Sequence, residues 1–256
     1  MTKKLIKTTE EIEIMRKGCQ ILAGVMDAIE AKIAIGVTGL EIDELAEKMI
    51  IDAGCEPAFK GYGADEGTPF PGTVCFSINE GIVHGIPSER KIMDGDMVKI
   101  DIGLKYREYF ADMARSFLVG NVSDEAKKLV EVTRKSFYKG LATIKDGSTL
   151  YEFAGAVQGY AESKGYYMVK SLVGHGIGTE LHAPPQIPNY INKQMNNFTF
   201  YAGMTVALEP MVNIGTEEAV ISDDGWTFET EDGSLSAHWE NTVLVTKKGT
   251  EILTKV

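Results

Sequence analysis

Twice along this chain of 256 residues a pair of helical segments gives way to a set of strand-like runs, and that repeated order limits the fold more than any single motif does. Thr8 with Glu11 makes a capping-box pattern ahead of Ile12, Met15, Cys19, Leu22, Met26 and Ile29, which recur at three and four as on one helix face. Thr38 with Glu41 opens a second helix, expected to stop near Gly54. Residues 62–72 turn to Gly, Pro and small polar types, as a surface loop does, and strands are predicted at 74–78, 97–103 and 109–118. The order then restarts after Ser123. One helix is predicted over about 124–144 and another from Thr149 and Glu152 to near Gly165, followed by strands at 168–172, 205–212, 226–231 and 238–246.

A local echo supports a duplication. The run from Asp94 to Asp101 (DGDMVKID) matches that from Tyr201 to Glu209 (YAGMTVALE), each placing a carboxylate a few residues past a Gly-containing turn and a Met. We therefore expect one catalytic domain over 1–256, with halves at about 8–120 and 121–250. The fold class is α+β, with helices covering the outer face of antiparallel strands, a pseudo-twofold, and a cleft shared between the halves.

A net charge of −11 argues against a polyanionic partner, and hence against a direct nucleic-acid reader. Lys3, Lys4 and Lys7 read as a solvated terminus. The sequence has neither an apolar run of membrane-spanning length nor a signal peptide, so no membrane partner is expected and the cytoplasm is the expected location. Cys19, Cys55 and Cys75 are too few and too irregular for a disulfide framework.

Chemistry concentrates elsewhere. In the strand around residue 100, Val98, Ile100 and Ile102 share one face and Lys99, Asp101 and Gly103 the other, so Asp101 is a carboxylate in mid-sheet that must be paired or bind a metal. A turn around Lys105–Arg107 would fold Asp112 back beside it. Either aspartate alone could bridge to Lys99 or Arg115, but two close carboxylates repel unless a cation lies between them. Glu209 ends a further apolar strand before Pro210, and Glu240 lies in another. His175 and His182, two of only four histidines, stand in a Gly-rich stretch, and spacing alone would make both of them ligands. Two aspartates, two glutamates and His175 suit two divalent ions, which can share and acidify a water for hydrolysis. No compact zinc motif of the H-E-x-x-H kind is present.

The runs CFSINEGIVHGIP (75–87), KIDIG and DMARSF (99–117), VGHGIGTELH (173–182), MTVALEP (204–210) and WTFETEDGSLSAHWENT (226–242) together resemble the bacterial type I methionine aminopeptidases, over nearly the whole chain and in the right order. The resemblance implies the duplicated "pita-bread" fold and hydrolytic release of an N-terminal methionine from peptides whose second residue is small. By it, Asp101, Asp112, His175, Glu209 and Glu240 are the ligands of two divalent ions, Mn, Fe, Co, Zn or Ni. By it also, His84 sits near the scissile nitrogen, His182 near the carbonyl oxygen, Glu209 moves the proton, and Phe70, Cys75, His84, Leu181 and Trp226 line the methionine pocket. The implied partners are N-termini of proteins beginning with Met and a transient ribosome contact, with a monomer as the expected state. The chain departs from the family pattern at Leu181, Ala183, His238 and Asn241, and in a longer loop at 62–71 with Asp65 and Glu66. The nearest rival is an Xaa-Pro aminopeptidase or dipeptidase of the same fold, whose usual extra N-terminal domain has no room before Thr8. More distant rivals are a non-catalytic ribosome- or peptide-binding protein on this scaffold and a metal-free hydrolase of the creatinase kind.

Overall fold

The computed structural model describes residues 5–194 and 197–255, and Lys3 and Lys4 lie outside them. Two helices open the chain, α1 (Thr9–Lys32) and α2 (Gly39–Asp52), each with a capping box in which Thr8 and Thr38 accept from the backbone of Glu11 and Glu41. Strands β1 (Glu56–Pro57), β2 (Val74–Ile78), β3 (Gly81–Val83), β4 (Met97–Tyr106) and β5 (Tyr109–Leu118) follow. The second helical pair is α3 (Asp124–Leu141) and α4 (Leu150–Glu162), the latter capped by Thr149 and Glu152. Then come β6 (Tyr167–Met168), β7 (Gly174–Gly176), β8 (Ala183–Ile187), β9 (Thr205–Leu208), β10 (Met211–Asn213), β11 (Ala219–Ile221), β12 (Phe228–Thr230), β13 (Ser236–His238), β14 (Asn241–Thr246) and β15 (Gly249–Ile252).

All strand pairs are antiparallel. The first large sheet centres on β4, with β2 and β5 beside it, and the second runs β15-β14-β9-β7-β8. Val98, Ile100 and Ile102 are fully buried in one core with Leu22, Ile29, Ile42 and Ile50 of α1 and α2, as the alternation along β4 requires. Phe137, Phe153 and Val157 of α3 and α4 close a second core over Val206, Leu208 and Val243. Helices thus cover the outer face of each large sheet, and the opposite faces look toward each other. Gly95 and Gly203, the turn glycines of the sequence echo, adopt nearly the same left-handed conformation, with φ of 95° and 93°.

Four expectations need correction. Lys7 is half-buried, packed beside Gly178, because Ile6 bridges to Met204 and draws the terminus onto the sheet. The strand predicted at 168–172 is only Tyr167–Met168, while β7 and β8 form where Gly and Pro suggest loop. The β4–β5 turn is Arg107–Glu108, with Arg107 at φ 56°, so β4 runs three residues past 103. The strands predicted at 205–212 and 238–246 are both broken, at Glu209–Pro210 and at Trp239–Glu240. Pro210 has no N–H to continue the ladder, and each strand changes sheet at its break: β9 pairs β14, whereas β10 pairs β13.

Candidate active site

In β4 and β5, Asp101 lies opposite Ala114 and Gly103 opposite Asp112, so the two aspartates are diagonal neighbours on one face. Cys75 of β2 is directly across from Asp101 on its other side. The second pair of carboxylates comes from the broken strands. Asn241 pairs with Leu208 and Met211 with His238, so one register continues across the break and sets Glu209 opposite Glu240. Released from the ladder, both side chains enter the cleft.

The aspartate pair and the glutamate pair meet because β5 packs along residues 238–242. Asp112 N–H donates to Thr242 Oγ1 (3.0 Å), which donates back to Asp112 O (2.8 Å). Glu240 N–H donates to Ala114 O (3.0 Å), and Ser116 Oγ donates to His238 O (2.8 Å). His175 comes from β7, held between β8 and β9 so closely that a Cβ on Gly174 would lie 2.5 Å from Ala207 O and one on Gly176 2.3 Å from Pro184 O. Only glycine permits that approach. His175 Nδ1 donates to Gly176 O at 3.0 Å, which leaves Nε2 as the acceptor, 3.5 Å from Glu209 Oε1.

Neither aspartate forms an ion pair among the described residues, which removes the salt-bridge alternative. Lys99 turns away to donate to Asn79 O (2.7 Å), and Arg115 donates to Asn241 Oδ1 (2.7 Å) while stacking on Trp239 at 4.2 Å. Asp101 Oδ1, Asp112 Oδ1 and Glu240 Oε1 are buried without a hydrogen-bond partner. Burial raises Asp101 to about 7, and burial together with neighbouring carboxylates carries Asp112, Glu209 and Glu240 well above the ordinary range. Burial, then nearby His182, lowers His175 to about 3 and keeps its ring neutral. Three sets of atoms, each within 4.8 Å of one another, could hold an ion: Asp101, Asp112 and Glu240; His175, Glu209 and Glu240; and Asp112, His175 and His182. The donor set fits divalent metal: acceptor oxygens and one imidazole lone pair, with no Lys or Arg ion pair to these carboxylates among the described residues.

All eleven residues singled out in the sequence line one cavity of about 70 Å³, together with Phe59 and Tyr62, which sequence reasoning missed. Phe70 and Trp226 meet edge to face at 5.3 Å and form the apolar wall with buried Cys75 and Leu181. Cys75 is raised far above an ordinary thiol by burial and the adjacent carboxylates, so it is a wall and not a nucleophile. His84 follows β3 at φ 58°, a left-handed conformation uncommon outside glycine, and its ring reaches the cavity beside Phe228 (5.6 Å). Burial, then His182, lowers it to about 4. His182 stands at the exposed mouth, 4.5 Å from the His175 ring, with Nδ1 2.7 Å from Tyr62 Oη. The only sequence signal for Tyr62 was its place between Gly61 and Gly63. His238, one of the departures, is also near the centre: its buried Nε2 lies 3.8 Å from Glu209 Oε2.

Four carboxylates gathered together can ionise only around bound cations, and with an apolar slot beside them they define a metal-dependent enzyme on a duplicated α+β scaffold. The model of metallopeptidase family M24 matches residues 13–247. Methionine aminopeptidase 1 of Bacillus subtilis is 42% identical over 98% of this chain and 99% of its own. The crystal structure of methionine aminopeptidase from Thermotoga maritima superposes with a TM-score of 0.93 at 39% identity, covering 98% of this chain and 99% of that one. Prolidase from Pyrococcus furiosus is more distant, with a TM-score of 0.79 at 26% identity, and this chain covers 66% of it. The chain belongs to metallopeptidase family M24, among its bacterial-type methionine aminopeptidases.

Proposed function

We propose that this protein removes the N-terminal methionine from newly made proteins whose second residue is small. The observation that carries this is the carboxylate cluster directly beside a narrow, soft wall of Phe70, Cys75, Leu181 and Trp226, which suits one unbranched thioether side chain. Asp101, Asp112, His175, Glu209 and Glu240 would hold two divalent ions, which when bound supply a Lewis acid and an acidified water.

The chain's own groups complete the chemistry. The apolar wall takes the methionine side chain. Glu209 accepts a proton as water adds to the scissile carbonyl and returns it to the departing amide nitrogen, so the C–N bond breaks with a neutral amine leaving. His182, at the mouth, donates to the carbonyl oxygen as negative charge gathers there, and His84 hydrogen-bonds the scissile nitrogen. The free chain would work as a cytoplasmic monomer, meeting nascent N-termini by transient contact with the ribosome. No helix among the described residues is long and apolar enough to cross a membrane.

The decisive assay offers Met-Ala-Ser, Met-Pro and Xaa-Pro peptides to metal-free protein restored with Mn, Fe, Co, Zn or Ni in turn. Methionine should be released from chains with a small second residue only, and cleavage confined to Xaa-Pro peptides would transfer the chain to the prolidase-like branch. His182→Ala should lower kcat by on the order of a hundredfold while KM changes little. An unchanged kcat would remove His182 from the reaction.

A further inference from the structure

His175 and His182 are neighbours in space and both can reach ligand positions, since Asp112, His175 and His182 form one of the three possible metal-holding sets. What separates them is the partner of each Nδ1. Gly176 O can only accept, so His175 Nδ1 carries the proton and its Nε2 offers a lone pair. The partner of His182 Nδ1 is a phenol, Tyr62 Oη at 2.7 Å. A phenol O–H is a good donor and its oxygen a poor acceptor, whereas an unprotonated imidazole nitrogen is a strong acceptor, so the bond runs from Oη to Nδ1.

We infer that Tyr62 fixes His182 in the tautomer opposite to that of His175, so that His182 presents Nε2–H to the cavity as a hydrogen-bond donor and is withheld from the metals. The inference rests on the proposed reaction for the identity of the acceptor, a substrate carbonyl, but not for the tautomer. Tyr62 is well placed to hold the ring. Gly61 N–H donates to Phe70 O and Phe70 N–H to Tyr62 O, both at 2.8 Å, closing the neck of the 62–71 loop. The Tyr62 and His182 rings meet edge to face at 5.1 Å. Gly63, at φ 78°, lies so close to Trp226 that a Cβ there would stand 3.2 Å from its ring. The neck therefore ties His182, Phe70 and Trp226 into one unit, and Tyr62 is a positioning residue acting through His182.

With four histidines in the chain, ring nitrogens can be assigned individually by ¹⁵N NMR of the zinc-loaded protein. In the parent chain His182 should show an unprotonated Nδ1 and a protonated Nε2. Tyr62→Phe should lose that pattern and lower kcat for methionine release by about tenfold, with KM within about twofold and zinc content unchanged. A protonated Nδ1 in the parent chain, or a variant with unaltered ring shifts and unaltered kcat, would overturn the inference. If the parent chain releases no methionine with any metal, the functional proposal fails, and the ring shifts alone decide the tautomer.

Discussion

Glu209→Gln is expected to reduce kcat for methionine release by on the order of a thousandfold, with KM little changed. The change keeps the shape of the side chain and removes its ability to carry a proton. Glu209 stands where β9 leaves its sheet, opposite Glu240, with Oε1 3.5 Å from His175 Nε2 and Oε2 3.8 Å from His238 Nε2. In the metal-free chain burial, then Asp101, raise its proton affinity. Because the same side chain is one of the groups that could hold an ion, metal content must be measured alongside rate. A variant with full metal and little activity assigns the loss to proton transfer. Activity within tenfold of the parent at full metal content would reject that role for Glu209.

Metal removal should make the protein's thermal stability depend on pH in a particular direction. Without metal, burial raises Asp101 to about 7 from an ordinary 3.8, and burial with neighbouring carboxylates raises Asp112, Glu209 and Glu240 well above their ordinary values. A carboxyl group whose folded pKa exceeds its unfolded one adds stability that is complete below the unfolded value and lost as pH rises through the folded one. The metal-free fold thus loses this contribution as pH climbs from about 4 through 7 and beyond. The buried bases act in the opposite sense: His84 is lowered to about 4 and His238 to about 3, and Lys99, also by burial, to about 7. His175, lowered to about 3, is already neutral in the metal-free fold over pH 6 to 8, so across that range the change in the difference between the two Tm values follows the carboxylates. That difference should grow from pH 6 to pH 8 at fixed free metal, by on the order of 5 °C, because ligands that bind metal must first release protons. Differential scanning calorimetry with and without chelator measures it. A difference that stays flat over this range would mean the carboxylates are already ionised in the metal-free fold.

Much of this site was legible in the residues, and unevenly so. The helix starts at Thr8, Thr38 and Thr149 were readable because a capping box is a contact between residues three apart. The nearness of Asp101 and Asp112 followed from the period of two along a hairpin, even though the turn lies slightly further on than expected. The opposition of Glu209 and Glu240 was not readable, since both strands look continuous in sequence and only Pro210 hints at the break. Tyr62 was hidden in a Gly-rich loop, and His238 stood out only as a departure, with nothing local to say that its ring lies beside Glu209.

The sequence alone determined which groups this protein has and that Asp101 and Asp112 share one face of a hairpin. Mid-strand carboxylates, glycines flanking a histidine and a repeated helix–helix–strand order are all relations between near neighbours, governed by backbone periodicity. Tertiary structure alone decided that an aspartate pair from one half meets a glutamate pair from the other, through contacts such as Asp112 with Thr242, 130 residues apart. It also decided what surrounds the two histidines. Spacing made His175 and His182 equivalent, but a backbone carbonyl stands beside one Nδ1 and a phenol beside the other, and those partners are set by packing, which chain-local patterns do not encode.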